Sequence, residues 1–222
     1  MSQFPFAMVG FDLDGTLVDT QGDLGAAVNH GLGLIGRASV PLEQVESLIG
    51  GGTLRMLERA LDLTGGPLGQ AEFERLYRRT LAFYEANIAV HSRPYPGSLE
   101  ALEALAERGS ALSVVTNKPE RYATKLLSEL DMLDRFACVI GGDSAARAKP
   151  HGDPIEAAIA RSGASGRFAM VGDSSFDVGA ARAAGVPVVA ASFGYNDIPA
   201  HELGADAVIG HFDELVGALR AL

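Results

Sequence analysis

Residues 11–20 read FDLDGTLVDT. Asp12 and Asp14 stand one residue apart, directly after the apolar run 7–11, and Gly15 and Thr16 follow at once. On an extended chain residues i and i+2 point the same way, so both carboxylates face one crevice. Aspartate and glycine are also ordinary turn residues. A turn, however, needs one aspartate, and a second aimed alongside it creates a repulsion that calls for a cation or a proton.

Working outward, runs like 7–12 (AMVGFD) recur at 111–116 (ALSVVT), 137–141 (ACVIG), 168–172 (FAMVG), 186–190 (VPVVA) and 206–209 (DAVI). Near-continuous apolar strands belong to a sheet covered on both faces. Helical patterns lie between them at 98–108, 120–130, 153–162, 176–184 and 212–220. This alternation predicts an α/β fold: a Rossmann-like parallel sheet core with helices on both faces. One gap breaks it. Roughly 95 residues separate the first two strands, far more than a βα unit uses. Much of the gap reads as helix, at 22–36, 42–48, 53–63 and 70–88, with Leu54, Leu57, Ala60 and Leu61 at helical spacing. The sequence therefore predicts a small α-helical domain at 18–93, inserted into a core formed by 1–17 and 94–222, with crossings near 17–21 and 89–96.

Ligands in such a sheet gather beyond the carboxyl ends of its strands. Three further segments fall there. Thr116-Asn117-Lys118-Pro119 offers a hydroxyl and backbone N–H groups that could hold an oxyanion, or could cap a helix with proline in its first turn. Lys149-Pro150 places a lysine that could meet phosphate or carboxylate as a point charge, or lie solvated. Gly172-Asp173-Ser174-Ser175-Phe176-Asp177 opens a helix, where aspartate caps well, and adds acids at the edge that holds Asp12 and Asp14. Together these make a carboxylate cluster with one lysine and one hydroxyl. Oxygen donors of this kind suit a hard cation such as Mg²⁺.

The totals limit the partners. The chain has 222 residues, 47% of them hydrophobic, and a formal charge of −10. That charge disfavours nucleic acid and anionic membranes. A small anionic substrate remains compatible, because one cation can reverse the local field. No apolar run approaches the ~18 residues of a membrane span, and the first ten residues do not read as a signal peptide. The single cysteine, Cys138, excludes an internal disulfide and reads as a core residue of a cytoplasmic protein. The five histidines show no zinc spacing and read as surface or loop residues; the glycines near 194 read as a loop over the sheet edge.

DxDGT, then Thr-Asn after a strand, then Lys-Pro, then GDSxxD, in this order, resembles the haloacid dehalogenase superfamily over essentially the whole chain. The helical insertion resembles its type-1 cap. The resemblance implies a phosphatase with Mg²⁺ as cofactor. It makes Asp12 the nucleophile, Asp14 the general acid and base, and Thr116, Asn117 and Lys149 the phosphate-binding residues. Asp12, the Asp14 carbonyl and Asp173 would ligate the metal, and Asp177 would support it. Within the superfamily, IGGGTLRMLERAL (49–61), VVTNKP (114–119), VIGGDS (139–144), KPHGDP (149–154) and FGYND (193–197) are similar to the bacterial phosphoglycolate phosphatases. Gly152 departs from the proline expected in that group, which implies a looser loop.

A phosphoglycolate leaving group carries a carboxylate. Backbone N–H groups of Gly50, Gly51, Gly52 and Thr53 before a helix could meet it, with Arg55 and Arg59 four apart on one helix face. The expected partner is a small phosphorylated metabolite, and the expected state is a monomer or homodimer. Alternatives on the same motifs are a sugar-phosphate phosphatase, a β-phosphoglucomutase-like enzyme, or a catalytically silent regulatory protein. A dehalogenase is disfavoured by Asp14 and by the Asp173/Asp177 pair.

Overall fold

The structure, a computed structural model, describes residues 4–222. The chain enters along β1 (Met8–Phe11), turns tightly and makes the short strand β2 (Val18–Asp19). Four helices follow: α1 (Gln21–Leu34), α2 (Leu42–Val45), α3 (Thr53–Thr64) and α4 (Gln70–Ala86). The chain returns along β3 (Arg93–Pro94), antiparallel to β2. Then come α5 (Ser98–Ala106), β4 (Ala111–Val115), α6 (Glu120–Glu129), β5 (Cys138–Ile140), α7 (Asp153–Ser162), β6 (Phe168–Gly172), α8 (Ser175–Ala184), β7 (Val188–Ala191), β8 (Ala207–Ile209) and α9 (Leu215–Ala221).

Six strands form one parallel sheet in the order β5-β4-β1-β6-β7-β8. The order reverses on either side of β1, so the crevice of such a fold opens at the carboxyl ends of β1, β4 and β6. The apolar runs are continuous because both faces are buried. Val9 and Phe11 of β1 join one core cluster with Leu102 and Leu105 of α5 and Leu215 of α9. Met8 joins a second with Ile155 of α7 and Ala181 of α8.

The first cluster continues without a break into the inserted helices through Leu24, Val28, Leu57 and Leu61. Met56, Leu57, Ala60 and Leu61 form the buried stripe of α3, whereas Leu54, grouped with them by spacing, is exposed. The expected helix 42–48 is one α-turn followed by a 3₁₀ turn, Glu46–Leu48, and the last helix opens with a 3₁₀ turn, Phe212–Glu214. The β2–β3 ribbon at the crossings was not anticipated. Two chain segments running side by side satisfy each other's backbone groups most simply by pairing. Cys138 is half-buried on the edge strand β5. Among the described residues no helix is long and apolar enough to cross a membrane.

Candidate active site

The Asp12 amide donates to the Val171 carbonyl at 2.9 Å, which carries the β1–β6 pairing one residue past the strand. The Leu13 carbonyl then accepts from Thr16, Leu17 and Val18, closing a tight turn. This turn holds both carboxylates at the sheet edge, and each meets its own ammonium group. Asp12 Oδ1 lies 2.9 Å from Lys149 Nζ. Asp14 is spanned by Lys118 Nζ, at 2.6 and 2.8 Å from its two oxygens, and its Oδ1 also accepts from the Thr20 hydroxyl at 2.8 Å.

Lys149 is buried; its ammonium donates to Asp177 Oδ1 at 2.6 Å and to the Val115 carbonyl at 2.9 Å, and forms an ion pair with Asp12. The Asn117 side chain bonds both the amide and the carbonyl of Lys149, at 2.9 and 3.1 Å, and so fixes the Lys-Pro loop to the end of β4. Gly152 does not loosen that loop. It is buried, and a Cβ there would come within 3.0 Å of the Ala184 amide nitrogen, so glycine lets the start of α7 press against the end of α8.

Asp173 accepts from the Thr16 hydroxyl and from the Tyr195 amide, both at 2.7 Å. Asp177 Oδ2 accepts from the amides of Asp173 and Ser174 and from the Ser174 hydroxyl, which caps α8 while its other oxygen holds Lys149. Thr116 is buried at the end of β4, where its hydroxyl oxygen accepts from the Lys118 amide.

Asp12, Asp14, Thr116, Lys118, Lys149 and Asp173 floor a cavity of about 570 Å³ whose upper wall comes from the inserted helices, with Asp177 buried behind them. Gly51, Gly52 and Thr53 line that wall; both glycines have positive φ, and the Thr53 hydroxyl shares a hydrogen bond with that of Tyr77. Arg59 also lines it, but its Nη1 donates to the carbonyls of Leu48, Ile49 and Gly50 and so ties down the glycine loop. Arg55 points away and pairs with Glu58 on the exposed surface.

The model of the haloacid dehalogenase-like hydrolase family matches residues 9–191. The chain belongs to this family. It is 42% identical over 210 residues to a phosphoglycolate phosphatase of Agrobacterium fabrum, covering 94% of this chain and 90% of that one. It is 38% identical over 220 residues to a phosphoglycolate phosphatase of Haemophilus influenzae, covering 96% and 98%. A crystal structure of a predicted phosphoglycolate phosphatase from Haemophilus somnus superposes with a TM-score of 0.90 at 33% identity, over 98% of each chain.

The donor set fits the divalent cation that the family implies. Asp12, Asp173 and Asp177 bring carboxylate oxygens within 4.8 Å of one another, with one lysine among them. Burial pushes Asp12 up to about 6; Lys149 opposes the shift, and Asp177 and Asp14 add to it. Asp173 is raised by burial and by the charges of Asp177 and Asp12. A hard cation among these oxygens would relieve the excess negative charge. Asp177 takes three donors on one oxygen and the Lys149 ammonium on the other, whereas Asp173 takes a single donor on each oxygen, so Asp12 and Asp173 keep more lone-pair capacity for a metal. The Asp14 carboxylate is outside the cluster and turned to Lys118, so a carbonyl is what Asp14 would offer.

Two groups of site residues were missed by sequence reasoning. Lys118 stood in the TNKP segment, but nothing in its neighbours marked it as Asp14's partner. The loop at 194–197 does more than cross the sheet edge, since Gly194, Tyr195, Asn196 and Asp197 line the cavity. A Cβ on Gly194 would sit 2.3 Å from the Gly15 carbonyl oxygen and 2.4 Å from Asp173 Cβ, so only glycine admits this contact. The Tyr195 hydroxyl accepts from the amides of Thr20 and Gln21 and donates to Asp19, joining this loop to the first crossing.

Proposed function

We propose that this chain is a cytoplasmic, Mg²⁺-dependent phosphomonoester hydrolase that works through an aspartyl-phosphate on Asp12, with 2-phosphoglycolate as its substrate. The observation that carries the reading is the separation of the two aspartates onto different ammonium groups, Asp12 on Lys149 and Asp14 on Lys118. One carboxylate is placed to attack while the other handles a proton.

A carboxylate nucleophile splits one hard hydrolysis into two displacements. An Asp12 oxygen forms a bond to phosphorus as the bond to the leaving alkoxide breaks, and Asp14 gives that oxygen a proton. Water then attacks phosphorus while Asp14 takes back a proton, phosphate departs, and the Asp12 carboxylate is restored. The Thr116 hydroxyl, the Asn117 amide and the Lys149 ammonium hold the phosphoryl oxygens, where charge and alignment matter more than covalent help. Asp12, Asp173 and the Asp14 carbonyl would hold Mg²⁺, which supplies positive charge against those oxygens when bound. Asp177 supports the arrangement by fixing Lys149.

For the substrate, the names of the relatives and the glycine loop point the same way. Amides of Gly51, Gly52 and Thr53 at the start of α3 suit a carboxylate, and Arg59 holds their loop in place. The β2–β3 ribbon supports dividing the chain into a core (1–17 and 94–222) and a helical cap (18–93). A second reading, a sugar phosphate, draws on Glu43 and Glu46, whose carboxylates line the same cavity and suit hydroxyl groups better than a second anion.

Phosphate release from 2-phosphoglycolate, several sugar phosphates and p-nitrophenyl phosphate, with and without Mg²⁺, tests both. We expect Mg²⁺-dependent turnover with 2-phosphoglycolate ahead by orders of magnitude in kcat/KM. Leading sugar phosphates would overturn the substrate, and no release with Mg²⁺ present would overturn the reaction.

A further inference from the structure

We propose that Lys118 is the positioning residue for Asp14: it fixes the plane of the acid/base carboxylate against the leaving oxygen and thereby sets how well the enzyme expels poor leaving groups. This rests on the phosphatase reading above and gives a role to a residue that the reading leaves without one.

Three cationic side chains line the cavity among the described residues, namely Arg59, Lys118 and Lys149. Lys149 faces Asp12, Asp177 and the Val115 carbonyl, and Arg59 is engaged with loop carbonyls. Lys118 is the one that reaches Asp14. Its side chain is 1% exposed, and its single nitrogen touches both carboxylate oxygens. One hydrogen bond would leave the aspartate free to turn about its terminal torsion, which has a broad and shallow profile. A grip on both oxygens, with Thr20 on one of them, removes that freedom.

Lys118 is itself held at every end. Its amide donates to Thr116 Oγ1 at 3.2 Å and its carbonyl accepts from Gly142 at 3.0 Å. Its ammonium lies 5.0 Å from the ring centre of Tyr84 on α4, one of the inserted helices. The buried Tyr84 hydroxyl has no hydrogen-bond partner among the described residues. An exposed pair of this kind would contribute little. Here the lysine is buried and the aspartate is open only toward the cavity, so the geometry is enforced rather than sampled. Misplacement of a reacting group by ~1 Å can cost ~10²-fold in rate, which is the scale on which a loosened Asp14 would act.

The test compares wild type, K118M, K118R, D14N and the D14N/K118M double variant on 2-phosphoglycolate and on p-nitrophenyl phosphate, all with Mg²⁺. Nitrophenolate departs without a proton donor, so the alkyl substrate reports on Asp14. We expect K118M to lose at least ~10-fold more kcat/KM on 2-phosphoglycolate than on p-nitrophenyl phosphate. K118R, which keeps the charge with a different fork, should recover part of the difference. In the D14N background, K118M should cause no further loss on the alkyl substrate, as a cycle through one shared partner requires. Equal losses on both substrates, or a further loss in the double variant, would overturn the proposal. Should K118M fail to fold, K118Q carries the same comparison. A D14N enzyme as active as wild type on 2-phosphoglycolate would instead overturn the role of Asp14, and this proposal with it.

Discussion

Two like charges one residue apart at a strand end are tolerated here because each is given a different cation. The same arrangement leaves Asp12, Asp173 and Asp177 around Lys149 with more negative than positive charge. Asp12 and Asp173 are both raised from the ordinary 3.8, Asp12 to about 6. A carboxyl whose pKa is higher in the folded than in the unfolded state makes the folded protein hold the extra proton. Its contribution to stability therefore falls as pH rises from 3.8 through about 6. A divalent cation competes with those protons and should restore what is lost. Saturating Mg²⁺, at ~100 times its Kd, is expected to raise Tm over an EDTA control by about 5–10 °C at neutral pH. The rise should be smaller near pH 5, where protons occupy the same oxygens. Calorimetry at both pH values checks this. A rise as large at the lower pH would contradict the charge balance described for the cluster.

At the scale of elements, strands and helices were readable wherever one period dominated, because sheet strands buried on both faces and amphipathic helices leave distinct apolar patterns. What escaped was set by partners distant in sequence. Asp23 is an example: polar and near the start of α1, it looks like a first-turn acid. It is instead buried, and accepts from the amides of His91 and Ser92 and from the Ser92 hydroxyl, 68 and 69 residues away. It locks the returning crossing to the helix that follows the outgoing one. Asp23→Ala would strand those buried donors and is expected to cost about 1–3 kcal/mol of stability, read from urea or thermal unfolding. Unchanged stability would mean that the crossings are held by the β2–β3 ribbon alone. The loop around Tyr195 was hidden for the same reason. Its role rests on close approach to Gly15 and Asp173, which no local pattern records.

Over the whole molecule, the site is the product of topology. Segments that follow β1, β4, β5 and β6 meet at one edge only because β1 lies between β4 and β6 and all six strands run parallel. Asp12, Asp14, Thr116, Asn117, Lys149, Asp173 and Asp177 were legible as candidates because each follows a strand, lies in the loop after one or opens the next helix, and sheet folds of this class gather ligands there. Lys118 and Tyr195 were not, because their partners are chosen by packing across the seam between the sheet and the inserted helices. In the proposed mechanism Asp12 carries the phosphoryl group and Asp14 is needed to release it. Mixing D14N enzyme and Mg²⁺ with p-nitrophenyl phosphate in a stopped-flow instrument tests this most directly. A burst of one nitrophenolate per enzyme followed by slow turnover is expected, with the phosphoryl label recovered on Asp12. No burst, or the same burst from D12N, would contradict it.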